Sequence, residues 1–237
     1  MTDVTATSDA ADRLELSPPL AGESSAAYAT RVIREGILTG VLAPGSKIPQ
    51  ESIATRLDMS RIPIRDALRQ LESEGLVVIP SNRSAKVARL DAADFAEIYD
   101  LRELFEPYVV GVTARSATEK QLDRLQALAD LFDKCVESHG DVLSVDRDFH
   151  LLTMSGAPRK RAWKLVTELQ NASQQYRRAF RDLDQSRTQA EVCREHHELV
   201  DAFRARDEAA AVEITRRHLA RTRALLEPVL LEREATR

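Results

Sequence analysis

The chain has 237 residues, of which 43% are hydrophobic and 30% charged, and its formal net charge is −4. These values are typical of a soluble protein with one large or two ordinary domains. No apolar run is long enough to span a bilayer and the N-terminus lacks a signal-peptide pattern, so we expect a cytoplasmic protein. The two cysteines, Cys135 and Cys193, fall within helical patterns and are interpreted as buried thiols rather than as a disulfide framework.

The charge is unevenly distributed along the chain. Residues 26–90 carry 10 Lys or Arg against 6 Asp or Glu, whereas the segments on either side are both acidic. A local basic patch on an acidic protein favours a confined nucleic-acid footprint over general polyanion binding.

The N-terminal part of the chain predicts a small DNA-binding domain. Residues 1–24 are rich in Ser, Thr, Ala and Asp with a Pro-Pro pair, so we predict a flexible arm. A helix (25–39), a helix-turn-helix and two short strands (76–80 and 85–88) follow in that order. This order predicts a winged helix-turn-helix domain over residues 25–90.

The helix-turn-helix covers residues 51–74. Its two apolar-periodic segments are separated by a turn at 58–60 that is too short for antiparallel helices, so the helices should cross steeply. Ser60 is a good N-cap for the second helix. Arg61 and Arg65, one turn apart, then lie near its exposed N-terminal end, where a recognition helix presents arginines to guanine. The alternative is a pair of solvated arginines on an ordinary helix.

From Asp91 onward the pattern predicts only helices. Six of them with short connections would form an antiparallel bundle over residues 91–237. Asp91 or Asp94 can cap the first helix, and Thr118 with Gln121 predicts a capping box for the second. The fold class is therefore mainly α, an N-terminal winged helix-turn-helix followed by an antiparallel all-α helical bundle.

Four metal-capable side chains fall on the apolar faces of this bundle. Asp146 and His150 lie one turn apart on the third helix, and His196 and His218 lie within the stripes of the fifth and sixth. A buried aspartate is costly unless it is paired or binds a cation, so the four together predict one divalent transition-metal site. Any one histidine alone would be interpreted as a core residue, and His197 is expected to point outward.

The predicted metal favours an anionic ligand. A divalent cation with one carboxylate and three neutral imidazoles keeps a net positive charge and leaves coordination positions open. Arg102 lies on the apolar face of the first bundle helix, where an arginine needs an anion. The alternative is an internal salt bridge to Glu106, one turn on. Tyr99, Ser173 and Arg177 are further candidates for the same effector-binding pocket.

The N-terminal domain resembles the GntR family of bacterial transcription regulators over GVLAPGSKIPQESIATRLDMSRIPIRDALRQLESEGLV. The resemblance rests on the PG turn, the SR-x-P-x-R-x-AL motif and the L-x-x-EGL exit. It implies base contacts by the recognition helix and a wing tip that reaches the neighbouring minor groove. The implied DNA-binding residues are Arg61, Arg65, Ser60, Ser52, Asn82 and Arg83.

The helical domain, residues 92–226, resembles the ligand-binding FCD domain of the FadR subfamily of these regulators. The matching segments are IYDLRELFEP, DRDFHLLTMSGAP and EHHELVDAFRARDEAAAVEITRRHL. Metal-binding members carry an Asp and a His four apart and two His separated by twenty-two positions, the spacing of Asp146, His150, His196 and His218. The resemblance implies that a metal and a neighbouring polar pocket hold a small organic acid.

Together these patterns predict a homodimeric repressor that binds double-stranded DNA at a pseudo-palindromic operator, with half-sites about 34 Å apart or less. Its effector would be a small carboxylate at the metal, for which zinc, nickel and manganese all suit the ligand set. Two alternatives remain. One is a metalloenzyme that activates water at the open positions, and the other is a regulator whose metal is purely structural.

Overall fold

The computed structural model describes residues 10–81, 84–138, 140–156, 160–179 and 185–235. The chain forms two compact units that divide between Leu90 and Asp91. Each unit has its own apolar core. Within the described part of the chain, no helix is both long and apolar enough to cross a membrane.

The N-terminal unit is a winged helix-turn-helix, as predicted. Its elements are α1 (Ser25–Leu38), α2 (Gln50–Arg56), α3 (Arg61–Ser73) and an antiparallel hairpin of β1 (Val77–Val78) and β2 (Lys86–Val87). The turn between α2 and α3 is tight because Asp58 takes a left-handed conformation, with a φ of 51°. Ser60 enters α3 from extended backbone, and its side chain makes no capping hydrogen bond to the described helix.

The core of this unit is built from the periodic apolar positions of its helices and from the hairpin. Buried side chains include Ile33, Ile53, Ile64, Leu68, Leu71, Leu76 and Val87. Because Ile64 and Leu68 face this core, the residues on the opposite side of α3 are turned to solvent. That side carries the two predicted base-contacting arginines.

Part of the predicted flexible arm packs into this core instead. Ala11 and Leu14 are buried, and Arg56 donates a hydrogen bond to the carbonyl of Leu14 at 2.8 Å. Gly36 makes the close approach possible, since a Cβ there would overlap the Leu14 side chain. Residues 1–9 of the predicted arm lie outside the described residues.

The C-terminal unit consists, in its described residues, of six helices. They are α4 (Ala92–Ser116), α5 (Glu119–Glu137), α6 (Val142–Thr153), α7 (Lys160–Ala179), α8 (Gln185–Ala205) and α9 (Glu208–Ala235). The predicted capping box of Thr118 and Gln121 opens α5, and the Asp91 carboxylate caps α4. Helices α4 and α9 pack antiparallel: the backbone N–H of Ala92 at the start of α4 donates a hydrogen bond to Glu234 near the end of α9.

Candidate metal centre and DNA-contacting helix

The exposed face of α3 carries three arginines at four-residue spacing. Arg61, Arg65 and Arg69 are all exposed. Arg61 forms an ion pair with Glu51 of α2, whereas Arg65 and Arg69 have no ion pair among the described residues. A groove of about 290 Å³ beside the last two is lined also by Gln50. The face therefore offers two arginines that can bind phosphate or base edges without first breaking a salt bridge.

The remaining predicted DNA-binding residues have different outcomes. Ser52 is half-buried on α2, and Ser60 is exposed at the start of α3. Asn82 and Arg83 lie outside the described residues. Arg69 was not among the predicted DNA-binding residues, although its spacing of four from Arg65 was a signal for it.

The four predicted metal ligands lie together inside the C-terminal bundle. Ligand atoms of Asp146, His150 and His218 all lie within 4.8 Å of one another. The Nε2 atoms of His150 and His196 are each 3.4 Å from Oδ1 of Asp146. All four side chains are buried, and His196 of α8 lies beside this group of three through its contact with Asp146.

Several ring nitrogens at this point have no hydrogen-bond partner. Nε2 of His150 and both ring nitrogens of His196 are buried and unpartnered in the described structure. The His196 ring is held between Phe149, stacked at 4.2 Å between centroids, and Phe132, edge-on at 4.7 Å. Because an unsatisfied buried polar atom is costly, these nitrogens fit a bound cation. Their donor set, nitrogen with one carboxylate oxygen, suits a divalent transition metal.

The protonation states at the site also suit a cation. Burial alone would raise the pKa of Asp146, but Arg177 and His150 hold that pKa well below its usual range. Burial lowers the pKa of His196, although Asp146 opposes the shift. Burial likewise lowers the pKa of His218 to about 3, against the effect of Glu195. Asp146 is therefore ionised at neutral pH, and His196 and His218 are neutral, which are the forms that bind metal.

Glu195 is a residue of this site that the sequence interpretation did not include. It directly precedes His196 on α8, and it is only 3% exposed. Its Oε2 lies 2.9 Å from Nδ1 of His218 and 2.7 Å from Nη2 of Arg221. Burial would raise the pKa of Glu195, but His218 and the nearby arginines lower it to about 2. The one signal available in the sequence was a glutamate directly before a histidine that was predicted to face inward.

The predicted effector-binding residues divide into two groups. Arg177 forms an ion pair with Asp146 and donates from Nη2 to Gln174 at 2.8 Å. Tyr99 is fully buried, and its hydroxyl has no hydrogen-bond partner in the described structure. Arg177 therefore lies directly against the predicted ligands, and Tyr99 has a polar group that remains to be satisfied.

Arg102 and Ser173 are engaged within the protein. Arg102 is 1% exposed and bonds through Nε to Glu106 at 2.7 Å, which is the salt bridge that the sequence left open as an alternative. Gln170 of α7 donates to both Glu106 oxygens at 3.2 Å. The buried Ser173 hydroxyl donates to the carbonyl of Gln170. The contacts between Gln170 and Glu106 join α7 to α4, and the Tyr99 ring lies 4.8 Å from the Arg102 guanidinium carbon.

The chain matches two family descriptions over the two units seen in the structure. "Bacterial regulatory proteins, gntR family" matches residues 26–87, and the FCD domain matches residues 97–221, more than half of the chain. The chain belongs to the GntR family of bacterial regulatory proteins. Its winged helix-turn-helix is the GntR domain, and its helical bundle is the FCD domain.

GntR relatives match different shares of the chain. The HTH-type transcriptional repressor RspR of Escherichia coli (strain K12) is 25% identical over 191 residues, 80% of this chain and 83% of that protein. The Nta operon transcriptional regulator of Aminobacter aminovorans is 31% identical over 108 residues, 45% of this chain and 51% of that protein. The relatives are transcription regulators, and this GntR protein is a DNA-binding transcription regulator rather than an enzyme.

Solved structures share the fold. E. coli McbR/YncC matches with a TM-score of 0.77 at 20% identity, covering 86% of this chain and 97% of its own. A GntR transcriptional regulator from Rhodococcus sp. RHA1 matches with a TM-score of 0.71 at 24% identity, covering 87% of this chain and 97% of its own. Both similarities extend over the winged helix-turn-helix and the FCD bundle.

Proposed function

We propose that this protein is a homodimeric repressor whose binding to operator DNA is controlled by a small organic acid at a divalent-metal centre in the FCD domain. The observation that carries the proposal is the buried cluster of Asp146, His150, His196 and His218 with its unpartnered nitrogens. The metal would be zinc, nickel or manganese. Repression is supported by the relative RspR, which is an HTH-type transcriptional repressor.

The charge of the proposed metal centre favours an anionic effector. A divalent cation held by Asp146 and three neutral histidines keeps one positive charge, and Arg177 beside it adds a second. The metal, when bound, would supply a Lewis-acid contact to an anionic oxygen. Arg177, with an unpartnered Nε, and the Tyr99 hydroxyl would donate hydrogen bonds to the same ligand. A small carboxylate can both contact the metal and accept these hydrogen bonds. Arg102 is not part of this pocket, because it pairs with Glu106.

The effector can act on DNA binding only through a difference in affinity. An acid bound with equal strength to the DNA-competent and DNA-released arrangements would shift neither, whatever its affinity. The metal and Arg177 are therefore expected to hold the acid in only one of the two arrangements. The operator is proposed to be pseudo-palindromic, to match the two-fold symmetry of a homodimer.

The test uses DNA selected from a random library by the purified protein. Binding is followed by fluorescence anisotropy with zinc-loaded and chelator-treated protein, in the presence of acetate, lactate, malate or citrate. At least one acid should change DNA affinity in the zinc-loaded protein and leave the chelator-treated protein unchanged. Equal DNA affinity under all these conditions would remove both the effector and the regulatory metal from the proposal.

Replacing Arg65 by alanine should weaken operator binding by about 1–3 kcal/mol, roughly 5- to 150-fold. Arg65 is exposed and has no ion pair among the described residues, so its whole hydrogen-bonding capacity is available to a guanine. Arg61 must first leave Glu51, so Arg61→Ala should cost less. Anisotropy titrations at one fixed salt concentration measure both effects.

The control for Arg65 is Arg216→Ala. Arg216 is an exposed arginine of α9, and its removal changes the net charge by the same amount. It should leave operator affinity unchanged. If Arg216→Ala weakens binding as much as Arg65→Ala, the effect is one of overall charge, and the assigned base contact is wrong.

We propose that two copies of the chain pair through the exposed stripe of α4. Leu101, Leu104 and Tyr108 follow one another on this stripe, and Leu104 is 79% exposed. Glu97 lies at one end of the stripe and Arg115 at the other, both exposed, and Arg115 also pairs with Glu208 of its own chain at 3.2 Å. When two such helices meet antiparallel about a two-fold axis, each Glu97 approaches the Arg115 of the other copy. The surface is therefore complementary to itself in charge.

Leu104→Glu should raise the dimer dissociation constant on the order of 100-fold, because it buries two like charges at the centre of the interface. Sedimentation velocity over a concentration series measures the change. Leu131→Glu, at another exposed leucine, on α5, is the matched control and should have no effect.

Charge exchange provides a second test: Glu97→Arg or Arg115→Glu should weaken the dimer, and the two together should restore it. Identical behaviour of all four proteins would place the interface elsewhere.

A further inference from the structure

A carboxylate lies directly behind one of the proposed metal ligands. Glu195 of α8 is buried, and its Oε2 is 2.9 Å from Nδ1 of His218 on α9. Arg221 approaches the same oxygen at 2.7 Å, and Nε of Arg217 lies 3.3 Å from the other oxygen. Two arginines therefore keep the glutamate ionised in a buried position, where a lone carboxylate would be costly.

This contact determines which nitrogen of His218 carries the proton. The carboxylate of Glu195, with an arginine on each oxygen, is an acceptor, so the 2.9 Å contact with Nδ1 of His218 is best satisfied when Nδ1–H donates to it. Arg221 also lies 3.2 Å from Nδ1, but its shorter contact is to the carboxylate oxygen. The proton on Nδ1 leaves Nε2 with the free lone pair that metal binding requires.

We propose that Glu195 is a positioning residue that holds His218 in the Nδ1–H form and orients its Nε2 towards Asp146 and His150. The inference rests on the proposed metal function, and it adds a residue that does not itself bind the ion. Carboxylates behind metal-binding histidines also raise the basicity of the imidazole. Glu195 would thereby join the metal centre to the charged contacts between α8 and α9.

The tautomer can be measured without metal. The chain has only 5 histidines, so protein labelled with ¹⁵N-histidine gives few signals in long-range ¹H–¹⁵N spectra. The His218→Gln variant assigns the signals of His218. Chelator-treated wild-type protein should show His218 as the Nδ1–H tautomer, and Glu195→Gln should convert part or all of it to the Nε2–H form. The wild-type spectrum tests the proposal even if the variant does not fold.

Zinc affinity is the second readout. Competition with a chromophoric chelator should show binding weakened about 10- to 100-fold in Glu195→Gln. The matched control is Glu198→Gln, one turn along α8, which also pairs with Arg217 but is half-exposed rather than buried. Glu198→Gln should retain both the tautomer and the affinity of the wild-type protein.

The outcomes separate this inference from the proposed function. An Nε2–H tautomer in the wild-type protein, or an unchanged tautomer and zinc affinity in Glu195→Gln, overturns the role of Glu195. A wild-type protein that binds no zinc, nickel or manganese overturns the metal function, while the tautomer still decides whether Glu195 fixes His218. The predicted change in both tautomer and affinity, confined to Glu195→Gln, supports the inference.

Discussion

Replacing Arg102 by alanine should lower the free energy of unfolding of the FCD domain by about 3–5 kcal/mol. Arg102 and Glu106 form an ion pair whose two side chains are each 2% exposed, and Gln170 completes the hydrogen bonds of the carboxylate. Removing the arginine leaves a buried carboxylate without its counter-charge. Urea unfolding followed by the fluorescence of Trp163, the only tryptophan of the chain, reports on this domain.

Two controls identify the cause. Arg223→Ala removes an arginine that pairs with three carboxylates near the surface. It should lower the free energy of unfolding by about 1 kcal/mol or less. The double variant Arg102→Leu with Glu106→Leu should recover most of the loss, because no unpaired charge remains. If Arg102→Ala unfolds like the wild-type protein and only weakens the response to an organic acid, Arg102 is an effector-binding residue after all.

The sequence could not show that Arg177, rather than Arg102, lies beside the candidate metal ligands. Both arginines occur on helices of the bundle, and periodicity reports only which face of its own helix a residue occupies. The structure pairs Arg102 with Glu106 on the same helix, with Gln170 of a second helix behind it, and pairs Arg177 with Asp146. Partners on other helices are set by packing, which a single sequence does not encode in its spacing.

The fold itself was predictable where the signals are local. Thr118 and Gln121 form the predicted capping box because that motif needs only residues three positions apart. The order of helices and hairpin follows likewise from apolar periodicity and turn residues. The packing of Leu14 against Gly36 was missed because it joins positions far apart in the chain, and nothing near Leu14 indicates the open space above the glycine.

The candidate metal centre shows the same division between local signals and long-range packing. Asp146, His150, His196 and His218 were predicted from their positions in apolar stripes, and the structure has their side chains together. Glu195 lies about 100° from His196 around its helix, so the apolar stripe of α8 does not include it. It is buried because α9 covers that side of α8, where His218 and two arginines meet it. The apolar stripe of a helix therefore predicts the candidate ligands, which face the core, better than it predicts the side chains that support those ligands.

Replacing His196 by glutamine should weaken zinc binding by about 100-fold or more, beyond the 10- to 100-fold typical of a residue that only supports a ligand. His196 is 1% exposed, and its Nε2 lies 3.4 Å from Oδ1 of Asp146. Glutamine nearly fills the space between Phe132 and Phe149 but offers a weaker donor than imidazole. Competition with a chromophoric chelator gives the affinity, and metal analysis after dialysis gives the stoichiometry.

The neighbouring histidine is the matched control. His197 differs from His196 only in the face of α8 that it occupies: it is partly exposed and bonds to Asp133 of α5 at 2.8 Å. His197→Gln should keep the zinc affinity of the wild-type protein and its response to organic acids. Trp163 fluorescence shows that both variants are folded before they are compared. Equal zinc affinity in the two variants would mean that the ion, if bound, is held without His196, and the four-ligand centre would be wrong.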